Sequence, residues 1–368
     1  MGSLQLQKVL GSGAFGTVYK GIMEEHGNRT TVAIKVMSKE GASNERFLRR
    51  LRDEAKLLTL LNTSLIIKVL GSCSIRGLDA VILEYVDGID MHKLYCSSIH
   101  IPMPITAFLG AKIAEGLHMA HTAINPKTNT PLSVIHRDIK PGNIMITREG
   151  AVKLCDFGIA KAVFETRESY TSPQEVLGTK DYIAPEYIIQ GRITPAADVY
   201  AMGLSLLQLL IKGNIGTLQL NQRAHEKPIY NLLRKLPPDF QSISRPLAQM
   251  LAWDPQQRPT AYECAQLLHS IAQKNNGTSF QDWSQRWITQ IMSQLPPPKD
   301  QLQLLGITVS IQDTVAIQDQ RNFPGSHSTF SLPPANRVPI AYVYIFSGVL
   351  LGIFMFSLIF SVLFSISS

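Results

Sequence analysis

A short segment near the middle of the chain brings residues capable of proton transfer and metal binding into one loop. In VIHRDIKPGNIMI, residues 134–146, Asp138 is followed by Lys140 and Asn143, and apolar residues flank the group on both sides. A solvated turn would account for the charges but not for the apolar flanks. A loop held between two buried strands, offering polar groups to a ligand, accounts for both.

A second acidic residue occurs shortly after this loop. In VKLCDFGIA, Asp156 follows an apolar strand. Mg²⁺ prefers oxygen ligands and keeps some water, so one carboxylate and one amide would suffice beside phosphate oxygens. This assigns Asp156 and Asn143 to a metal. It leaves Asp138 to accept a proton from an attacking hydroxyl, and Lys140 to neutralise a transferring phosphoryl group.

The N-terminal segment LQKVLGSGAFGTVYKG carries the glycine spacing G-x-G-x-x-G. The glycines are Gly11, Gly13 and Gly16, and Val18 follows two residues later. The spacing alone is weak, since a dinucleotide-binding turn uses the same glycines. Here β-branched and aromatic residues follow in alternation, which predicts a strand after the glycines. A glycine loop between two strands lets the backbone approach phosphates closely, because Cβ atoms are absent.

The next predicted strand, TVAIKVM, contains a single charge at Lys35. A solvent-facing lysine on an amphipathic strand is one explanation. The other is that Lys35 meets an anionic group inside the protein. The segment 44–62 is helical in pattern and offers Glu54. Glu45 is the less favoured partner, because it lies in the first turn, where acidic residues simply favour the helix dipole.

Together these motifs resemble the signature set of the protein-kinase family. GSGAFGTV, VAIK, HRDIKPGN, DFG and APE occur in the family's order and at family-like spacings. The resemblance covers residues 4 to about 271 and is strongest to the eukaryotic-like (Hanks-type) Ser/Thr kinases of bacteria. It implies the α+β bilobal protein-kinase fold, with a small β-rich N-lobe over residues 1–86 and a larger helical C-lobe over residues 87–272.

The resemblance also implies roles for the matching residues. Asp138 would be the catalytic base, with Asn143 and Asp156 on Mg²⁺, or on Mn²⁺ in its place. Lys35 would hold the α- and β-phosphates of ATP and pair with Glu54. The implied nucleotide-binding residues are Gly11, Ser12, Gly13, Ala14, Phe15, Gly16, Val18, Ala33, Lys35, Glu54, Glu84 and Val86. The backbone of the last two would meet the adenine.

Later motifs extend the same resemblance. Glu186 of APEY would form a structural ion pair with Arg258 of DPQQRPTA, and Thr179 would lie near Asp138. Arg137 would bind a phosphate group on the activation segment through a charge-assisted bidentate pair. The candidate acceptors are Thr166, Ser169, Thr171 and Ser172. We expect autophosphorylation at Thr171 or a neighbour, and the alternative is an ordinary polar loop.

Composition narrows the range of partners. Of 368 residues, 45% are hydrophobic, which suffices for a sizeable core, and the formal net charge is +7. The 35 Lys and Arg residues form no run interleaved with aromatic residues, so we expect no nucleic-acid binding. The 4 cysteines show no C-x-x-C spacing and no nearby His at metal spacing, so we expect reduced thiols.

The end of the chain is predicted to lie in a membrane, as a transmembrane helix over residues 339–366. No charged residue occurs from Ile340 to Phe364. At about 1.5 Å per residue this run spans about 37 Å, enough for a hydrocarbon core of about 30 Å. Arg337 and every other Lys and Arg precede it, which favours a cytoplasmic N-terminal part. We therefore expect a single-pass, tail-anchored protein.

Residues 273–338 are rich in Gln, Ser and Pro and are predicted to be a juxtamembrane linker. Within them, SFQDWSQRWITQIMSQL has apolar residues near helical spacing. This helix either packs on the preceding domain, which we favour, or lies at the membrane interface.

The function expected from the resemblance is a membrane-tethered Ser/Thr kinase that uses ATP and Mg²⁺ and acts on protein substrates. The alternative is a catalytically silent kinase fold that serves as a membrane scaffold. Such chains typically lose the strand lysine, the base or a metal ligand, and all of these are present here. A small-molecule kinase is disfavoured by APEY and DPQQRP. Self-association at the membrane would favour trans-autophosphorylation.

Overall fold

The computed structural model describes most of the kinase-like region and part of the segment after it. The described residues are 2–13, 16–38, 57–61, 63–157, 182–216, 218–274, 278–295, 304 and 306–311. The chain divides into two compact units, Met1–Ile317 and Gln318–Ser368, and every described residue belongs to the first.

The strands of the described region form two antiparallel sheets. They are β1 (Gly2–Gly13), β2 (Gly16–Glu25), β3 (Asn28–Met37), β4 (Val69–Ile75), β5 (Leu78–Glu84), β6 (Gly88–Asp90), β7 (Ile144–Thr147), β8 (Val152–Leu154) and β9 (Thr308–Ile311). The N-lobe sheet has the order β4-β5-β3-β2-β1-β9, and the smaller C-lobe sheet has the order β6-β7-β8. β1 and β2 flank the glycine loop, so the predicted strand after the glycines is confirmed.

The N-lobe sheet has a small hydrophobic core of its own. Because side chains alternate across a strand, one face of the sheet collects the buried residues. Leu4 and Leu6 of β1 pack there with Ile34 of β3 and Ile82 of β5. The sheet therefore holds β1, β2 and β3, which carry the candidate nucleotide-binding residues, as one layer.

The C-lobe is built mainly from helices. They are α1 (Met91–Cys96), α2 (Met103–His121), α3 (Pro185–Gln190), α4 (Pro195–Ile211), α5 (Gln222–Arg234), α6 (Gln241–Met250), α7 (Ala261–Gln273) and α8 (Phe280–Gln294). α2 and α4 have buried residues on most sides, as expected for apolar helices at the centre of a lobe. They approach closely at Gly110, where an added Cβ would lie 2.9 Å from Leu206 Cδ1.

The small sheet of the C-lobe brings the two chemistry-bearing segments together. Ile144 of β7 pairs with Leu154 of β8. Asn143 and Cys155 adjoin this pair, and the Cys155 amide donates to the Asn143 carbonyl oxygen at 2.9 Å. The Asp138 loop therefore leads into β7, and Asp156 leaves β8 at the same edge. The prediction of strands on both sides of that loop is half correct, since residues 134 and 135 form no strand.

The region after the kinase-like domain differs from the linker predicted over residues 273–338. α8 packs on the C-lobe, with Trp283 and Ile288 buried, which confirms the favoured alternative for this helix. β9 pairs with β1 and so adds a strand to the N-lobe. Both segments lie inside the first compact unit. Part of the predicted linker is thus folded with the two lobes.

No helix within the described part of the chain combines the length and apolar character that crossing a bilayer requires. The helix predicted over residues 339–366 lies outside the described residues.

Candidate active site

The loop that carries Asp138 is held by a buried carboxylate from the first turn of α4. Asp198 accepts the backbone N–H groups of His136 and Arg137, each at 2.8 Å. His121 Nε2 lies 2.9 Å from the same carboxylate. Arg137 has a φ of 66°, a left-handed conformation that costs energy in a residue with a Cβ. The bonds to Asp198 fix this conformation and so set the position of the next residue, Asp138.

Asp138 lies at the centre of a compact hydrogen-bonded group. Lys140 Nζ lies 2.9 Å from Asp138 Oδ2. Asn143 Nδ2 donates to Oδ2 at 3.0 Å and to the Asp138 carbonyl oxygen at 2.8 Å. These bonds turn the amide hydrogens of Asn143 toward Asp138, so the acceptor that Asn143 can offer to a metal is its Oδ1. The loop therefore orients both the candidate base and one candidate metal ligand.

Asp156 contacts the lysine of the N-lobe strand. Lys35 Nζ on β3 lies 2.7 Å from Asp156 Oδ1, so the pair joins the two lobes. Burial alone would raise the pKa of the Asp156 carboxyl. The ammonium groups of Lys35 and Lys140 and the hydrogen bond from Lys35 outweigh burial and lower that pKa. Asp156 is therefore ionised at neutral pH, as a metal ligand must be.

A buried histidine links the loop of Asp138 to the segment of Asp156. The His136 ring lies against the Phe157 ring, with centroids 4.2 Å apart. Burial lowers the pKa of His136, although the nearby carboxylates of Asp198, Asp138 and Asp156 act in the opposite direction. The imidazole is thus neutral at physiological pH. Its role is to pack against Phe157 and hold the two segments together.

These contacts place the predicted catalytic and metal residues in one connected group. Lys35 contacts Asp156, Lys140 acts electrostatically on Asp156 and contacts Asp138, and Asn143 contacts Asp138. The group offers a carboxylate and an amide oxygen to a cation, a donor set that fits Mg²⁺ completed by phosphate and water. Among the described residues, no cluster of three or more His, Cys, Asp and Glu side chains could hold a metal by itself.

The described nucleotide-binding candidates lie on β1, β2, β3 and β5 of the N-lobe sheet or directly after β5. Gly11 and Gly13 end β1, and Gly16 begins β2. In the strand register, Val18 lies opposite Lys35. Ser12 Oγ lies 3.2 Å from Thr17 Oγ1 on β2. Ala33 lies opposite Leu83 of β5. Glu84 is the last residue of β5, and Val86 follows two residues later. Ala14, Phe15 and Glu54 lie outside the described residues.

A lysine that sequence reasoning overlooked fixes the segment between the lobes. Lys153 Nζ on β8 lies 2.8 Å from Glu84 Oε1 and 3.0 Å from the Ser64 carbonyl oxygen. The same Glu84 oxygen accepts the Lys68 backbone N–H at 2.8 Å. Lys153 is the single charged residue of an apolar strand, as Lys35 is of the predicted strand TVAIKVM. The same pattern could therefore have identified Lys153 from the sequence.

The predicted ion pair in the C-lobe is confirmed. Arg258 Nη1 and Nη2 donate to the two carboxylate oxygens of Glu186 at 2.7 and 2.8 Å. Arg258 also donates to the Ala252, Ala196 and Trp253 carbonyl oxygens. The pair is buried and lies outside the catalytic group, so its role is structural. Thr179 and the four predicted phosphorylation sites lie outside the described residues.

Comparison with known sequences yields one family and many relatives. The model of the protein kinase domain matches residues 4–270. PknA of Mycobacterium tuberculosis is 33% identical over 208 residues, which cover 55% of this chain and 45% of that protein. The tyrosine-protein kinase MasK of Myxococcus xanthus is 30% identical over 283 residues, covering 73% of this chain and 43% of that protein. The chain thus spans less than half the length of these relatives.

Comparison with solved structures supports the fold. The kinase domain of PknI from Mycobacterium tuberculosis superposes with a TM-score of 0.54 at 24% sequence identity. The match covers 73% of this chain and 96% of that one. At this identity the likeness concerns the bilobal architecture alone.

Proposed function

The chain belongs to the protein kinase domain family, and from this premise we propose that it is a Ser/Thr protein kinase. It transfers the γ-phosphoryl group of ATP to a hydroxyl group of a protein substrate. The observation that carries this proposal is the connected group from Lys35 through Asp156 to Asp138 and Asn143. It unites residues from both lobes that are far apart in the sequence.

Each residue of the group has a task that follows from its contacts. The ammonium of Lys35 binds phosphate oxygens, and Asn143 and Asp156 would hold the divalent metal, which supplies charge neutralisation when bound. Asp138 accepts the proton of the substrate hydroxyl. Lys140 Nζ lies 2.9 Å from Asp138 Oδ2, so its ammonium group is placed to neutralise the transferring phosphoryl group. Positioning and electrostatics therefore account for most of the rate acceleration.

The choice of hydroxyl is part of the proposal. Lys140 stands two residues after Asp138, the arrangement of Ser/Thr kinases in this family, and relatives named Ser/Thr kinases support that choice. A relative named as a tyrosine kinase makes the alternative concrete. Phosphoamino-acid analysis of the products distinguishes the two. Phosphotyrosine as the main product would contradict the proposal.

The activity is tested by γ-phosphate transfer from ATP to a general protein substrate, with Asp138→Asn beside the wild type. We expect the variant to lose activity by about 100-fold or more, because a positioned base contributes that much. It should keep nucleotide binding, since Lys35 and the glycine loop are unchanged. Glu149→Gln, an exposed carboxylate on the adjacent β7–β8 turn, is the matched control. A wild type without transfer would favour the silent scaffold.

Membrane tethering belongs to the same proposal. It is supported by the uncharged run Ile340–Phe364 and by the position of every Lys and Arg before it. Tethering raises the local concentration of the kinase in two dimensions and thereby favours autophosphorylation between copies. Alanine replacement of Thr166, Ser169, Thr171 and Ser172 should then abolish the autophosphorylation signal. Full activity and full self-labelling in that variant would contradict autophosphorylation at these four residues.

A further inference from the structure

The segment after the matched kinase domain is attached to both lobes. Its described parts are α8, Leu304 and residues 306–311, and we refer to them together as the C-terminal extension. α8 contacts the C-lobe, and β9 within residues 306–311 pairs with the N-lobe. All of it lies beyond residue 270, where the family match ends. The contacts at its two ends decide what it can do.

The first end is docked on the C-lobe by an apolar face. α8 packs against α1, α2, β6 and β7. Trp283 is 2% exposed and Ile288 is 0% exposed, and the Phe280 ring lies 4.8 Å from that of Phe108 on α2. Burial of these apolar side chains favours docking of α8 on the C-lobe. α8 therefore rests on β7, the strand that begins directly after the candidate metal ligand Asn143.

The second end is docked on the N-lobe by strand pairing and by one leucine. Residues Thr308–Ile311 pair antiparallel with Gly2–Gln5 of β1. The Leu6 amide donates to the Ile307 carbonyl oxygen at 3.1 Å, and the Gly306 amide donates to the Leu6 carbonyl oxygen at 3.0 Å. Leu304 is buried in the core that contains Leu4. The pairing covers the edge of β1 that the sheet would otherwise expose.

The strand on which this second end lies is the strand that leads into the glycine loop. β1 pairs with β9 at its first residues and ends at Gly13 of the glycine loop. The extension therefore joins the phosphate-binding strand of one lobe to the strand beside the metal ligand of the other. A covalent connection between two docked ends also raises the effective concentration of each end at its own site, so that docking of one stabilises docking of the other.

We propose that the C-terminal extension is an interlobe strap that positions the glycine-loop strand over the catalytic loop. Trp283 and Leu304 are the positioning residues of its two ends. Neither is among the nucleotide-binding candidates, and both would act through the elements they hold. The strap itself is defined by described contacts, and only its effect on nucleotide affinity rests on the proposed kinase function.

The first test needs no nucleotide and measures amide hydrogen exchange in the full-length protein. Trp283→Ala releases the C-lobe end. We expect exchange of the β1 and β9 amides, in the other lobe, to accelerate about tenfold, because β9 loses the effective concentration that docked α8 provides. Exchange in β3 and β5 should stay unchanged. Gln285→Ala, at an exposed position of the same helix, is the control. Unchanged β1 exchange in Trp283→Ala would overturn the proposal.

A milder variant covers the case in which Trp283→Ala unfolds more than α8. Ile291→Ala removes a smaller buried side chain from the same face, and it should accelerate β1 exchange in the same direction. The exchange of α4 amides reports whether the C-lobe core is intact. Acceleration in β1 with α4 unchanged supports the strap, and acceleration confined to α8 contradicts it.

The second test measures the Kd of magnesium ADP in the full-length protein. Leu304→Ala and Trp283→Ala should each raise the Kd about fivefold to tenfold, and the double variant should match the single ones, because one released end already releases the strap. Multiplied effects would show independent ends and would contradict the proposal. A wild-type protein that binds no nucleotide would refute the kinase function. The exchange experiment would still test whether the C-terminal extension connects the two lobes as a strap.

A disulfide between the strands separates the two ends. Gln5 and Thr308 are exposed and directly opposite in the register of β1 and β9. Cys96 is first replaced by Ser so that it cannot form a wrong disulfide. The pair Gln5→Cys and Thr308→Cys is then added to Leu304→Ala. When oxidised, this disulfide should restore the wild-type Kd, since it fixes the N-lobe end. It should not restore Trp283→Ala, in which the other end is free. Equal rescue of both, or of neither, would contradict the strap.

Discussion

Two buried carboxylates stabilise the C-lobe, and one of them, Asp198, holds the candidate site. Asp198 accepts two backbone N–H groups of the catalytic loop, and Glu186 accepts a bidentate pair from Arg258. Both are almost fully buried, so their charges are compensated by hydrogen bonds and not by water. Removing a single partner of such a group leaves an uncompensated charge, which costs far more than an exposed ion pair.

The pair Glu186–Arg258 makes this cost measurable. We expect Arg258→Met to lower the free energy of unfolding by about 3–5 kcal/mol, because Glu186 stays buried without its partner. Urea unfolding of the purified protein checks this value. Arg223→Met, at an exposed position of α5, should change it by less than about 0.5 kcal/mol. Adding Glu186→Gln to Arg258→Met should recover part of the loss, and no recovery would show that packing dominates.

A second residue-scale expectation concerns acid stability. Burial would raise the pKa of Glu115 on α2, but hydrogen bonds from His269 and Lys112 outweigh it and lower the pKa below the ordinary value of 4.5. A carboxyl with a lowered folded-state pKa stabilises the protein above its unfolded-state pKa, and this contribution is lost as the pH falls through the folded value. Thermal unfolding of Glu115→Gln should therefore show a deficit at pH 7 that shrinks below about pH 4.5.

The same titration has a matched control. Glu149→Gln removes a carboxylate that is exposed to water on the β7–β8 turn, and it should show no comparable pH-dependent deficit. A deficit of Glu115→Gln that persists unchanged at about pH 3, below the ordinary pKa of a glutamate, would show that shape, and not charge, explains the loss.

Residue types and short spacings predicted the candidate catalytic group, but not the contacts that hold it. Asp138, Asn143 and Asp156 were predicted because their chemistry and family-like spacing are local properties of the sequence. Asp198 stands out in the sequence only as a residue near the start of a helix. Its bonds to His136 and Arg137 join residues at separations of 62 and 61 positions, and no pattern in one sequence reveals such a pairing.

At the scale of elements, the glycine loop depends on the close approach of β2 and β3. Gly16 has a φ of 147°, and an added Cβ would lie 2.1 Å from the Val36 carbonyl oxygen. For Gly13, at the other side of the same loop, no described residue lies within 4 Å of an added Cβ. We expect Gly16→Ala to lower the free energy of unfolding by about 2–4 kcal/mol, since strain and overpacking add.

Gly13→Ala is the matched control for this expectation. It should change the unfolding free energy by less than about 1 kcal/mol when no nucleotide is present, because none of the described residues lies near the added methyl group. Urea unfolding of both variants without nucleotide separates stability from ligand contacts. Equal losses in the two variants would mean that the approach of β3 to Gly16 is not what restrains the loop.

Long periodic elements were predictable, and the short β9 was not. The alternating pattern after the glycines gave β2, and the apolar spacing around Trp283 gave α8. β9 has four residues, in a segment whose composition is that of a linker. Its partner β1 lies at the opposite end of the chain, so the pairing depends on tertiary structure alone. A strand of this length is stable only because the sheet and Leu304 support it.

At the scale of the whole molecule, the proposed membrane segment and the kinase domain differ in their content of charged residues. All charged residues, and so the formal net charge of +7, lie before Ile340, and this excess of Lys and Arg is compatible with an anionic surface nearby. The run from Ile340 to Phe364 carries no charged side chain, and its only polar side chains are serine and tyrosine hydroxyls. If this run forms the proposed membrane helix, its backbone groups would be satisfied within the helix.

The membrane proposal is tested by adding charge where the run is most apolar. Leu351→Arg with Phe354→Arg places two guanidinium groups near the middle of the segment, at a cost of about 2.5–3.5 kcal/mol each. We expect the wild-type protein in the carbonate-resistant membrane pellet and this variant largely in the supernatant, because insertion no longer compensates the charge. Asn336→Arg adds the same charge beside Arg337 and should stay in the pellet. Wild-type protein in the supernatant would disprove the anchor, and a Leu351→Arg, Phe354→Arg variant that stays in the pellet would show that the apolar run does not govern attachment.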